Sequence, residues 1–158
     1  GEIWVRGAVV MHGYWGQDQA TRATMDGDWL KTGDVGRVDE SGYLYIVDRK
    51  TDMVISGGEN IYCAEVEQVF SRYPHVQEVA AFGVADDRLG ERLIVVVAGV
   101  SGESLTVDVL IAHAGDHLAV YKMPSEIIIQ STPFERNAMG KVAKADIKTN
   151  FLKNQRSL

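Results

Sequence analysis

Asp48-Arg49-Lys50-Thr51-Asp52-Met53-Val54-Ile55-Ser56-Gly57-Gly58-Glu59-Asn60 is the stretch on which the reading of this chain turns. Its first five residues are polar, so the apolar pattern stops at Asp48 and resumes at Met53. Before this point the chain reads as short strands and turns; beyond it, helices and strands alternate. A polar run between two strands suits a solvated loop, and equally a linker that must stay flexible. A division is therefore expected here, into a β-rich segment, residues 1–49, and a small domain, residues 50–158.

Working back towards the amino terminus, residues 3–5 and 9–11 have strand-like apolar spacing. Asp39-Glu40-Ser41-Gly42 separates two apolar runs, 35–38 and 43–47, and predicts a hairpin. Asp26-Gly27-Asp28 predicts another turn. Working forward, Val66, Val69 and Phe70 fall at helical spacing within residues 64–73, with Glu65 and Glu67 near the positive end of the helix dipole and Pro74 as its stop. Strands are expected at 76–84, 93–100 and 125–130. Helices are expected at 105–118, capped by Ser104 or Thr106, and at 143–152. This order predicts an α+β fold, a small mixed α/β domain with a short central sheet flanked by helices.

Composition narrows the function. Of 158 residues, 46% are hydrophobic; Lys and Arg number 16 against 22 Asp and Glu, giving a net charge of −6. Such a chain lacks the broad positive field of a nucleic-acid binder, although a local basic site for a phosphorylated small molecule stays open. The one cysteine, Cys63, rules out an intramolecular disulfide. No apolar run approaches the roughly 20 residues of a membrane span. The chain opens at Gly1, already in strand-like sequence and without a signal peptide, which implies a piece of a longer polypeptide.

Three clusters hold residues suited to chemistry. In Lys31-Thr32-Gly33-Asp34 the carboxylate offers two acceptor oxygens, the arrangement that suits a vicinal diol, although a turn-capping aspartate reads the same way. Gly57-Gly58 before Glu59 lets a backbone pass close to a ligand, or simply makes a turn before a helix. In Arg136-Asn137-Ala138-Met139-Gly140-Lys141, a lysine on a turn ahead of a helix could set its ammonium against a phosphoryl group in transfer. By itself it reads as an ordinary surface lysine.

Taken in order, these segments resemble the adenylate-forming superfamily, which holds acyl-CoA synthetases, peptide-synthetase adenylation domains and luciferase. Trp29-Leu30-Lys31-Thr32-Gly33-Asp34 is similar to its ribose-binding segment. Asp48-Arg49-Lys50 with Gly57-Gly58-Glu59-Asn60-Ile61 is similar to its hinge and glycine loop, and Arg136 to Lys141 to its catalytic-lysine segment. The resemblance implies the carboxyl-terminal part of an enzyme that couples a carboxylic acid, fatty acids foremost, to coenzyme A through an acyl-adenylate, using ATP with Mg2+. It implies that Asp34 and Arg49 contact the ribose, that Gly57, Gly58 and Glu59 line the thiol path, and that Lys141 acts in adenylation. Lys50 and Thr51 would form the hinge, where the family usually has Asp or Lys at the position of Thr51. Residues 1–49 would close a large domain whose remainder, with the phosphate loop and acyl pocket, is missing, leaving the fragment inactive alone. Cytoplasmic placement, with loose membrane association at most, is expected.

Two other classes of function stay open. The chain could be a non-catalytic interaction module of the same fold, or an adenylation domain serving a carrier protein. His113 and His117, one helical turn apart, lack an evident third ligand, so no metal site is expected.

Overall fold

The computed structural model describes residues 1–100 and 104–155. It divides into two compact units, Gly1–Thr51 and Asp52–Leu158. In the first, strand β3 (Trp29–Val38) is the organising element. It pairs antiparallel with β1 (Glu2–Val5) along one edge; along the other it pairs with β2 (Met25–Asp26) and then β4 (Leu44–Arg49). The β3–β4 hairpin forms as its sequence predicts. Asp39 Oδ1 accepts hydrogen bonds from the backbone N–H of Ser41 and of Tyr43, each at 2.9 Å, closing the turn locally. Gly27 and Asp28 likewise turn the chain between β2 and β3.

Two elements differ from expectation. Residues 9–11 form no strand: the N–H of Val10 turns back to the carbonyl of Gly7, and Val9 lies fully open to solvent. Helix α1 (Asp18–Thr24) was not anticipated; it buries no residue and has no side-chain cap, so no apolar periodicity announces it.

The second unit is built on a mixed sheet. β7 (Val76–Asp86) and β8 (Gly90–Gly99) form a long antiparallel hairpin, and β9 (Glu126–Gln130) adds to β8 in parallel. The start of β8 meets β5 (Met53–Ser56), which pairs with β6 (Glu59–Tyr62). The apolar run of β8 is continuous because both faces of the strand are covered. Leu93, Val95 and Val97 pack with Val66 and Phe70 of α2 (Cys63–Ser71) and Leu110 of α3 (Val107–Gly115). Ile94, Val96 and Ala98 pack on the opposite face with Phe134 and with Phe151 of α4 (Lys144–Gln155). Thr106 caps α3, accepting from the N–H of Val109. A central sheet flanked by helices is the expected α+β architecture, the helices lying on both of its faces.

Candidate functional site

Asp34 does not precede a strand, as its sequence suggested; it lies inside β3, opposite Arg49 at the end of β4. The register between β1 and β3 shifts between Glu2 and Trp4, and Thr32-Gly33-Asp34 occupies that irregularity. Thr32 holds its shape: Oγ1 donates to the carbonyl of Ile3 at 2.8 Å and accepts from the N–H of Asp34 at 3.0 Å. The irregularity therefore aims the Asp34 carboxylate by backbone constraint. Its Oδ1 lies 3.2 Å from Arg49 Nε, and both side chains remain partly open. A carboxylate beside a guanidinium, both partly open, matches the acceptor and donor needs of a ribose diol.

Lys50 follows directly and is tied to the same unit twice. Its N–H donates to the carbonyl of Gly33 at 2.8 Å, and its ammonium pairs with Glu2 at 3.1 Å. That ammonium, with a further hydrogen bond from Trp4, holds the Glu2 carboxyl below its usual range.

Gly57 and Gly58 are not a loop before a helix but the two-residue turn of the β5–β6 hairpin, in which Ser56 pairs with Glu59. Both have positive φ, 59° and 88°, as a tight hairpin of this kind requires. Nothing lies within 4 Å of where a Cβ on Gly58 would stand, so its backbone is open to approach. Helix α2 begins only after the returning strand, at Cys63, whose side chain is buried.

Lys141 ends a turn fixed mainly by Asn137. Asn137 Oδ1 accepts from the N–H of Met139 and of Lys141, each at 3.0 Å, and its own N–H donates to the carbonyl of Lys141 at 2.8 Å. Gly140 supplies the positive φ of 75° that closes the turn. The Lys141 side chain is exposed, and no carboxylate among the described residues pairs with its ammonium. A mobile cation on a constrained backbone is suited to a charge that appears only transiently.

The sequence reading passed over two residues that support this loop. Glu78, in β7, meets the loop through Phe134 and Arg136. Lys144, at the start of α4, sits 2.8 Å from Glu67 and 3.4 Å from Asp52. Burial works against the Lys144 charge, but Glu67 first and then Asp52 outweigh it, so its pKa rises above the ordinary 10.5. A raised lysine pKa contributes stability that is complete below the unfolded value and lost as pH climbs through the folded one. Accordingly, the stability gap between the native chain and Lys144→Met is expected to hold steady up to about pH 10 and to shrink above about pH 10.5. Urea unfolding midpoints across that range measure it; a gap that stays constant throughout would refute the assignment. Lys122, bound to both oxygens of Glu65 at 2.6 and 2.7 Å, is present in both proteins and cancels.

His113 and His117 spend ring nitrogens on backbone. His113 Nε2 lies 3.0 Å from the carbonyl of Val69 and His117 Nδ1 2.8 Å from that of His113, so each of these nitrogens donates.

Residues 65–141 match the family described as the AMP-binding enzyme C-terminal domain. The long-chain-fatty-acid–CoA ligase FadD13 of Mycobacterium tuberculosis is 38% identical over 151 residues, which are 96% of this chain and 30% of that protein. The 2-succinylbenzoate–CoA ligase of Bacillus pumilus is 43% identical over 150 residues, 94% of this chain and 30% of its own length. Among solved structures, the amide bond synthetase McbA from Marinactinospora thermotolerans superposes with a TM-score of 0.84 at 34% identity, over 96% of this chain and 30% of that one. The chain thus spans about 30% of the length of these relatives.

Proposed function

This chain belongs to the adenylate-forming superfamily, of which it carries the carboxyl-terminal part, and from that premise we propose that it serves an ATP-dependent acyl-CoA synthetase. The enzyme activates a carboxylic acid, a fatty acid first among candidates, as its acyl-adenylate and passes the acyl group to coenzyme A. The observation that carries the reading is Lys141: an ammonium with no ion pair among the described residues, on a turn whose backbone is fixed by Asn137 and Arg136.

In the first step the carboxylate attacks the α-phosphorus of ATP, which enters with Mg2+, and pyrophosphate leaves. Asp34 accepts hydrogen bonds from the ribose hydroxyls while Arg49 holds that carboxylate in place and adds a contact to the sugar. Lys141 offsets the negative charge that grows on the phosphoryl oxygens. In the second step the thiol of coenzyme A attacks the acyl carbonyl and AMP departs, with Gly57, Gly58 and Glu59 lining the path of the pantetheine arm. Each step uses a different part of residues 50–158, which we propose turn as a body about Lys50 and Thr51.

Residues 1–49 are, in this reading, the closing strands of a large domain holding the remaining ATP contacts and the acyl pocket. The open apolar side chains of the first unit support it: Val9, Trp15, Tyr43 and Ile46 are each at least two-thirds exposed, which an isolated soluble surface seldom tolerates in number. No helix among the described residues is long and apolar enough to cross a membrane.

The test is to assay the full-length polypeptide with ATP and a panel of fatty and aromatic acids, following pyrophosphate release and then CoA consumption. Acid-dependent pyrophosphate release without CoA consumption would redirect the acceptor to an amine or a carrier protein; the likeness to an amide bond synthetase favours keeping that second reading. No pyrophosphate release with any acid would leave a binding module. The chain described here, supplied with the same reagents, is expected to form no AMP above the uncatalysed rate, because the acyl pocket and phosphate loop lie outside it. Robust AMP formation by it would overturn this assignment of parts.

A further inference from the structure

We propose that Glu78 is the positioning residue of the loop that carries Lys141, an inference that rests on the reading of Lys141 as the group acting in adenylation. Glu78 stands in β7, where the surrounding residues are almost all apolar, and its side chain is only 12% exposed. A carboxylate so placed must satisfy its oxygens within the protein, and both turn to the loop. Oε2 accepts from the N–H of Phe134 at 2.7 Å, and Oε1 pairs with Arg136 Nη2. Arg136 in turn donates from Nη1 to the carbonyl of Gly140 at 3.1 Å.

That carbonyl belongs to the peptide bond whose N–H is that of Lys141, and the N–H is itself held by Asn137 at 3.0 Å. The peptide leading into Lys141 is therefore pinned at both ends. The two pins differ in kind. The bonds of Asn137 lie within the turn and give it shape, wherever the turn points. Glu78 belongs to the sheet, so the line from Glu78 through Arg136 to Gly140 joins the tip of the turn to the rigid part of the domain. Phe134 and Lys144 root the two sides of the segment, but neither reaches its tip. The Lys141 side chain adds its own long reach to any error in the backbone below it, and misplacement of a reacting group by about 1 Å can cost about 100-fold in rate.

The experiment compares Glu78→Ala, Glu78→Gln and Lys141→Ala in the full-length polypeptide, with the two half-reactions assayed separately. Glu78→Ala is expected to lower kcat for adenylation about 10- to 100-fold with little change in KM for ATP. Thioester formation from preformed acyl-adenylate should stay close to the native rate. Glu78→Gln keeps one acceptor oxygen and sets an NH2 donor where the other stood, so it can hold Phe134 or Arg136 but not both, and should recover only part of the lost kcat. Hydrogen exchange should show faster exchange at the Lys141 amide in Glu78→Ala, with the amides of β8 unchanged. If Lys141→Ala abolishes adenylation while Glu78→Ala leaves it intact, the positioning role is wrong and the catalytic reading stands. Equal loss of both half-reactions in Glu78→Ala and in Glu78→Gln would reduce Glu78 to a structural residue. Should Lys141→Ala leave adenylation untouched, the reading beneath the inference fails, and the inference fails with it.

Discussion

Replacing Lys141 with alanine in the full-length polypeptide is expected to slow acyl-adenylate formation by about 100- to 1,000-fold, the usual cost of deleting one preorganised group that meets transition-state charge. Thioester formation from supplied acyl-adenylate should change little, because on the reading above a different part of residues 50–158 serves that step. The asymmetry follows from the geometry. The Lys141 backbone is held by Asn137 and Arg136, while its ammonium carries no ion pair among the described residues, so no neighbour competes with a substrate phosphate for it. Two other lysines of this unit are engaged: Lys122 by Glu65, Lys144 by Glu67 and Asp52. Truncating either of those would lower stability and, through it, both half-reactions together. Single-turnover pyrophosphate release, set beside CoA consumption from preformed adenylate, separates the two cases. Equal rates in native and variant enzyme for both steps would make Lys141 a surface residue, although the fold would be unaffected.

How much of this was legible in the chain depended on the range of the interaction involved. Asp39 and the two hairpin turns of the first unit could be read because their bonds close within four residues. Helix α2 could be read from the local spacing of Val66, Val69 and Phe70, and α3 from its Thr106 cap. The β5–β6 hairpin was hidden, since Ser56-Gly57-Gly58-Glu59 reads equally as a loop, and only the pairing of Met53 with Tyr62 distinguishes them. Asp34 could be picked out as a carboxylate suited to a diol, but its place inside β3 could not, because a strand irregularity depends on the partner strand. Glu78 was invisible for the same reason: its partners Phe134 and Arg136 stand 56 and 58 residues away. The signal that existed was a carboxylate at the head of the apolar run Val79-Ala80-Ala81-Phe82, an anomaly that asks for a partner without naming one.

Phe70→Ala is expected to have the largest effect on stability. Phe70 is fully buried on α2, among the largest side chains in the cluster it shares with Val66, Leu93, Val95 and Leu110. Deleting a buried phenyl ring costs about 3–5 kcal/mol, part of it lost transfer energy and part the cavity that rigid neighbours leave behind. The neighbours here are β8 residues held by strands on both sides, so the cavity will not collapse easily. Domains of this size have only about 5–15 kcal/mol of stability in total, so the loss is a large share. For a unit of about 100 residues it corresponds to a fall in Tm of more than about 10 °C, readable by circular dichroism on this chain. The consequence reaches the site as well, because α2 also carries Glu65 and Glu67, the carboxylates that fix Lys122 and Lys144. A loosened α2 should therefore weaken both half-reactions in parallel, the opposite of the selective loss expected from Lys141→Ala. A Tm shift below about 5 °C would mean that Phe70 is not the anchor of this core, since so small a change corresponds to little more than about 1 kcal/mol.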